Sequence, residues 1–208
     1  MNQLRTENIG KRFGRRVLFK RISIEVNPDR TLAITGSNGS GKSTLIQILA
    51  GVMRPTRGAV DLFVGNGKIS NEERPMHIGL VAPYLNLYDA FTPTENLRFV
   101  AKARSFPSFQ DRISTVLEKV ELSTRAHDPV GTFSSGMKQR LRFAFALFAE
   151  PPVLLLDEPS ANLDANGVKL IHAIIQQAST DGQIVIIATN DADEAASCDD
   201  SINVEDFR

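Results

Sequence analysis

The run Gly36-Ser37-Asn38-Gly39-Ser40-Gly41-Lys42-Ser43 carries the clearest chemistry in the sequence. Its glycines let a backbone turn tightly and aim consecutive N–H groups at phosphate oxygens. It matches G-x-x-x-x-G-K-[ST] at every fixed position, a pattern in which Lys42 reaches the β- and γ-phosphates of a nucleotide and the Ser43 hydroxyl meets Mg2+. The apolar run Thr31–Thr35 precedes it and the helical pattern Lys42–Ala50 follows. A strand, a glycine-rich loop and a helix whose positive dipole end faces the anion are the context such a cradle needs. The candidate phosphate-binding set is Gly36, Ser37, Asn38, Gly39, Ser40, Gly41, Lys42, Ser43 and Thr44.

A second run, Val153-Leu154-Leu155-Leu156-Asp157-Glu158, is an apolar strand that ends in two acids. A carboxylate at the end of a buried strand, beside a phosphate loop, suits a Mg2+ ion held through its water shell; Asp157 takes that role. Glu158 points elsewhere and is the candidate to polarise the attacking water. Two solvated acids opening a loop at Pro159 would be the alternative, but four buried-type residues precede them. Together the two runs define a P-loop NTPase.

The elements that must position these residues follow from periodicity. Strands are expected at Ile22–Val26, Thr31–Thr35, Ala59–Phe63, His77–Val81, Val153–Leu156 and Gln183–Ala188. Helices are expected at Lys42–Ala50, Ser135–Ala149 and Ala165–Ala178. Strands apolar on both faces imply a parallel sheet covered by helices on both sides. Between about Tyr84 and Thr132 the strand signal fades, and helices are expected at Thr94–Ala103 and Phe109–Val120. The expected organisation is one domain over 1–208, with a core at 1–83 and 133–208 and an inserted helical subdomain at about 84–132. After Asp191 there is room for one helix and an edge strand, Ser201–Val204, but not for a regulatory domain.

With 208 residues, the chain can bury a core without disulfide or metal staples. Apolar residues make up 42% and charged residues 23%, which excludes a largely disordered or collagen-like chain. Lys plus Arg and Asp plus Glu are both 24, so the net charge is zero and nucleic acid is not expected as a partner. Basic residues crowd the first 21 positions and acidic ones the last 18; these read as two solvated faces. The single cysteine, Cys198, fits a reducing compartment. With no apolar run of membrane-spanning length and no signal-peptide core, the expected location is cytoplasmic.

A family resemblance enters at Phe133-Ser134-Ser135-Gly136-Met137-Lys138-Gln139-Arg140. This run resembles the signature motif of ATP-binding cassette (ABC) ATPases. Asp157-Glu158-Pro159-Ser160 and Ala161-Asn162-Leu163-Asp164 resemble the acidic motif and the D-loop that follows it. Phe13 falls where the family places an aromatic against adenine, and Thr92–Leu97 resembles the opening of its helical subdomain. The resemblance implies an α/β P-loop NTPase fold with a mainly parallel central sheet, an N-terminal antiparallel β portion and an inserted helical subdomain. It implies ATP and Mg2+ as ligands, and two copies, identical or paired, that sandwich ATP head to tail. Ser134, Ser135 and Gly136 of one copy would then face the γ-phosphate held by the other, although Ser134 also suits a helix N-cap. The implied partner is an integral membrane transporter subunit, with this chain peripheral on the cytoplasmic face. The length also resembles the small haem-exporter (cytochrome c maturation) type of ATPase subunit.

The family pattern is broken at several positions. The first glycine of the signature is Ser135, and Met137 replaces its glutamine. The Q-loop glutamine falls on Pro83, which cannot supply an amide; Asn86 lies close enough to compensate. The switch histidine falls on Asn190, which can donate one hydrogen bond to a γ-phosphate but cannot become a cation. Reduced turnover is expected. Tyr84, Leu85, Leu87, Tyr88 and Phe91 suit either packing of the helical segment or a groove for a membrane partner. His77 and His127 lack metal-ligand spacing. The expected function is ATP hydrolysis that powers a membrane transporter. The alternatives are a soluble cassette in an assembly machine and a slow ATP-gated dimerisation switch.

Overall fold

In chain order, the N-terminal half forms strands β1 (Gln3–Phe13), β2 (Arg16–Ile22), β3 (Glu25–Val26) and β4 (Thr31–Thr35), then helix α1 (Lys42–Leu49). Strands β5 (Arg57–Val64), β6 (Gly67–Ile69) and β7 (Ile78–Val81) follow, then helices α2 (Pro93–Ala103), α3 (Gln110–Lys119) and α4 (Ser135–Leu147). The chain ends with β8 (Val153–Asp157), α5 (Ala165–Thr180), β9 (Ile184–Ala188), α6 (Ala192–Ala196) and β10 (Asp200–Asn203). This is a computed structural model that describes residues 2–28 and 30–208. Met1, at which the expected core range opens, and Asp29 lie outside the described residues.

The apolar strands β4, β9, β8 and β7 and the polar edge strand β10 pair in parallel in the order β10-β4-β9-β8-β7. Their side chains divide between two cores, which explains runs such as Val153–Leu156. Leu154, Leu156, Val185 and Ile187 pack with α2, α3, α4 and α5. Val153, Leu155, Ile184 and Ile186 pack on the other face with α1 and the N-terminal strands. A strand between two cores must be apolar at every position, because successive side chains point to opposite faces.

The second sheet is antiparallel, in the order β2-β1-β5-β6, with β3 added to β1. Its strands β1, β2 and β6 fall outside the expected runs. Only one face of β1 is buried, and its outward positions carry Arg5, Glu7 and Lys11, so no continuous apolar run announces it. Ile22–Val26, expected as one strand, is interrupted. Arg21 has φ 58°, and the Thr6 hydroxyl accepts the Ile24 N–H at 2.9 Å and donates to the Ile22 carbonyl at 3.3 Å. The other expected strands and helices recur with ends moved by a few residues. His77, for example, lies in a 3₁₀ turn before β7, and α4 ends at Leu147 rather than Ala149.

Between β7 and β8 the described residues form only helices and turns. A Thr92–Glu95 capping box starts α2: the Thr92 hydroxyl accepts the Glu95 N–H while the Glu95 carboxylate accepts the Thr92 N–H. Gly79 lets α4 lie close on β7. A Cβ there would collide with the Ala146 carbonyl and press into Pro151 and Leu154. Gly79→Ala should therefore lower the unfolding free energy by about 1–3 kcal/mol, read as a reduced urea midpoint at unchanged m-value.

Candidate active site

The parallel ladder brings three strand ends to one level. Ala188 at the end of β9 pairs with Ile34 of β4 on one side and with Asp157 of β8 on the other. The loops leaving β4, β8 and β9 therefore meet at the carboxyl edge of the sheet, where open α/β sheets bind ligands.

The loop after β4 turns on glycines. Gly41 has φ 118°, and a Cβ there would stand 2.8 Å from Leu18 Cγ, so no other residue fits without strain. Gly41 is the N-cap of α1 and offers no side chain, so the first N–H groups of the helix have no side-chain cap and stay available to an anion. Lys42 is buried; its ammonium donates to the Gly36 carbonyl at 2.8 Å and to the Ser37 carbonyl at 3.5 Å. It also lies 3.6 Å from Glu158 Oε1. The Ser40 hydroxyl is fully buried and has no partner.

Asp157 is 1% exposed. Burial pushes its carboxyl pKa up, against the Ser43 hydroxyl and the Lys42 charge. The Ser43 hydroxyl lies near enough to this carboxylate to act on its pKa, and Oδ1 has no partner. A hydroxyl and an orphaned buried carboxylate oxygen are the hard oxygen donors that Mg2+ takes. Glu158 follows in the left-handed region, φ 51°, with its N–H bonded to the Ala188 carbonyl at 2.8 Å. A non-glycine residue there stores strain of order 1–3 kcal/mol, and here it turns Glu158 toward Lys42. Burial raises the Glu158 pKa as well, opposed by Lys42 and by the Asn190 backbone N–H.

A groove of about 440 Å³ runs along this loop. Asn38, Gly39, Gly41, Lys42, Ser43 and Thr44 form one side, and Phe13, Arg16, Leu18 and Glu158 close it. Phe13 is 51% exposed, and the Lys11 ammonium lies 5.1 Å from its ring centroid. Asn190 reaches the loop from β9, its amide donating to Asn38 Oδ1 at 3.2 Å. Ser134, Ser135 and Gly136 do not line the groove. Ser134 caps α4, its hydroxyl accepting the Met137 N–H at 3.2 Å, and Gly136 packs against the Asn162 carbonyl.

Several neighbours of the site carry no motif. Arg16 and Leu18 line the groove from β2, a strand hidden by its charged residues. Asn86, expected to compensate for Pro83, is exposed; the Tyr84 phenol, two residues earlier, lies near Gln47 of α1. Burial raises the Tyr84 pKa, and the Asp157 charge acts in the same direction. Glu194, 4% exposed at the start of α6, accepts the Ser160 hydroxyl at 2.6 Å, tying the loop after Glu158 to the segment after Asn190. None of these pairings is visible in the sequence, because each joins residues far apart along the chain. Among the described residues, no cluster of three or more His, Cys, Asp or Glu side chains could hold a metal.

A P-loop between two covered sheets, with acids and an amide converging on it, is the fold of the ATP-binding cassettes. The ABC transporter family pattern matches residues 19–161, from β2 to the loop past Glu158, and the chain belongs to that family. It is 33% identical to the ABC transporter ATP-binding protein YdbJ of Bacillus subtilis, over 90% of this chain and 61% of that protein. It is 38% identical to the cytochrome c biogenesis ATP-binding export protein CcmA of Rhizobium etli, over 90% of this chain and 87% of that one. The chain thus spans less than two thirds of the length of YdbJ and most of CcmA. The dimeric ATP-binding cassette MJ0796, solved with ADP and Pi, superposes with a TM-score of 0.84 at 25% identity, covering 98% of this chain and 94% of that one.

The raised carboxyls make a stability prediction with a definite sign. A carboxyl whose folded pKa lies above its unfolded value binds its proton more tightly in the fold. Its contribution is fully present below the ordinary carboxylate range and is lost as pH climbs through the raised value. Asp157→Asn should therefore raise the urea midpoint of the nucleotide-free protein at neutral pH while weakening its affinity for ATP in the presence of Mg2+.

Proposed function

We propose that this chain is the ATP-binding and ATP-hydrolysing subunit of a membrane transporter. The convergence of Lys42, Asp157, Glu158 and Asn190 on one glycine-rich loop carries this reading. Gly36–Thr44 cradles the triphosphate, with Lys42 moving from the Gly36 carbonyl to the phosphate oxygens. Phe13 supports the adenine. Ser43 and Asp157 would hold Mg2+, which would supply charge neutralisation at the phosphate oxygens. Glu158 orients a water and accepts its proton as the water attacks the γ-phosphorus and the bond to the β-phosphate oxygen breaks. Asn190 donates to the γ-phosphate through its amide.

ATP would be completed by the Ser134–Gly136 turn of a second copy or a paired cassette, as the dimeric assembly of MJ0796 suggests. Closing the pair on ATP and reopening it after hydrolysis would be the power stroke delivered to the transporter. The segment 84–132 would form the helical subdomain that meets the membrane subunit. Its exposed aromatic patch supports this: Tyr88 sits 5.5 Å from Phe91 and 5.3 Å from Phe99, and each is 42–51% exposed. Among the described residues no helix is long and apolar enough to cross a membrane, so the chain would reach the cytoplasmic face through that partner.

Purified protein should hydrolyse ATP in a Mg2+-dependent manner, and Glu158→Gln should lower turnover by ~10²–10⁴-fold while retaining ATP binding. Equal turnover in the two proteins would remove Glu158 from this role. Lys42→Ala should abolish ATP binding. Asn190→His should raise turnover by about 10-fold or more, since a cationic donor would replace a neutral one. Gentle detergent extraction of membranes should recover the chain with a polytopic partner.

A further inference from the structure

The segment after β10 folds back onto the phosphate loop from outside the nucleotide groove. β10 runs parallel to β4 with Asn203 beside Thr35, so the next residues arrive where Gly36 leaves the strand. Val204 is fully buried, and Phe207 packs against the same core as α1. The Asn203 carboxamide oxygen accepts the Glu205 N–H at 3.0 Å and starts a short turn, Val204–Phe207. That turn presents the Glu205 carboxylate to Ser37 with two hydrogen bonds. Oε2 accepts the Ser37 backbone N–H at 3.1 Å, and Oε1 accepts the Ser37 hydroxyl at 3.0 Å. Arg208 holds Oε1 at 3.1 Å. The Ser37 hydrogen bonds, with help from Arg208 and Lys42, keep the Glu205 carboxyl below the usual carboxylate range.

Ser37 is also where the loop turns. Its carbonyl accepts the Ser40 N–H at 3.1 Å and receives Lys42 at 3.5 Å. The next residue, Asn38, is the one held by Asn190. The outer limb of the loop is thus tied down by two side chains from the last part of the chain.

We propose that Glu205 is a positioning residue for nucleotide binding: by gripping both donors of Ser37 it holds the phosphate loop in its binding turn before ATP arrives. Converging N–H groups repel one another, and ordering a glycine-rich loop costs backbone entropy. A contact that meets this cost in the free protein leaves more of the phosphate interaction to appear as affinity. A two-point, charge-assisted contact suits this work. Glu205 pairs with Arg208 and is not among the residues that line the groove.

The inference rests on reading Gly36–Thr44 as the nucleotide cradle, so its test has one arm without nucleotide. Amide hydrogen exchange of the free protein is measured for wild type, Glu205→Ala and Glu205→Gln, with urea midpoints for each. Exchange across 37–44 should speed up in Glu205→Ala, less so in Glu205→Gln, while β8 and β9 stay protected. Unchanged exchange at 37–44, or a uniform rise across the whole chain, would overturn the positioning role. Affinity for a fluorescent ATP analogue with Mg2+ forms the second arm. Glu205→Ala should weaken it by about 5–20-fold, and Glu205→Gln by less. Equal or tighter binding in Glu205→Ala would also overturn it. Wild type that binds no ATP analogue, with exchange at 37–44 responding as expected, would instead remove the nucleotide reading and reduce Glu205 to a latch on the loop.

Discussion

The register of three parallel strands decides where chemistry can occur in this molecule. Ala188 is flanked by Ile34 and Asp157, so the glycine loop, the acidic pair and the Asn190 loop leave the sheet at one height. Shifting β8 by one residue would swap its two buried faces and move Asp157 away from Ser43. In the observed register Leu154 and Leu156 serve one core while Val153 and Leu155 serve the other. The same burial that defines the cores therefore sets the position of the carboxylates.

That position is costly for the folded chain alone. Asp157 is buried with an unpartnered oxygen, Ser40 has a buried hydroxyl without a partner, and Glu158 sits at a positive φ. Each feature would destabilise an ordinary core, and together they lie around one loop. Among the described residues three buried side-chain polar atoms lack a partner, and two of them, Ser40 Oγ and Asp157 Oδ1, lie at this loop, while the third is Arg74 Nε; such a concentration is a physical mark of a ligand site. Lys42 offsets part of the cost by resting on backbone carbonyls and near Glu158. These contacts are ones it can exchange for phosphate oxygens.

The loop is also held from behind. Asn190 grips Asn38, Glu205 grips Ser37, and Glu194 joins the segment after β9 to the loop after β8 through Ser160. Glu194 and Glu205 come from the acidic end of the chain, and Asn190 immediately precedes it. Its carboxylates, read in one dimension as a solvated face, include two, Glu194 and Glu205, that accept hydrogen bonds from the site loops. Other acids of this stretch, such as Asp193 and Asp206, do remain outside these contacts.

By itself the sequence determined the local chemistry. The glycine spacing, the Lys-Ser pair and the apolar strand ending in Asp157 and Glu158 are readable because a phosphate loop and a doubly buried strand each impose their pattern on contiguous residues. The parallel sheet was legible for the same reason. The half-exposed strands β1 and β2 were not, since one buried face among charged residues leaves no run to see. Only the tertiary structure decided which distant side chains meet the loop: Arg16 and Leu18 at the groove, Tyr84 beside Gln47, Glu194 on Ser160 and Glu205 on Ser37. Contacts of that kind depend on strand order and register, which emerge when the two cores pack and which no short stretch of residues encodes.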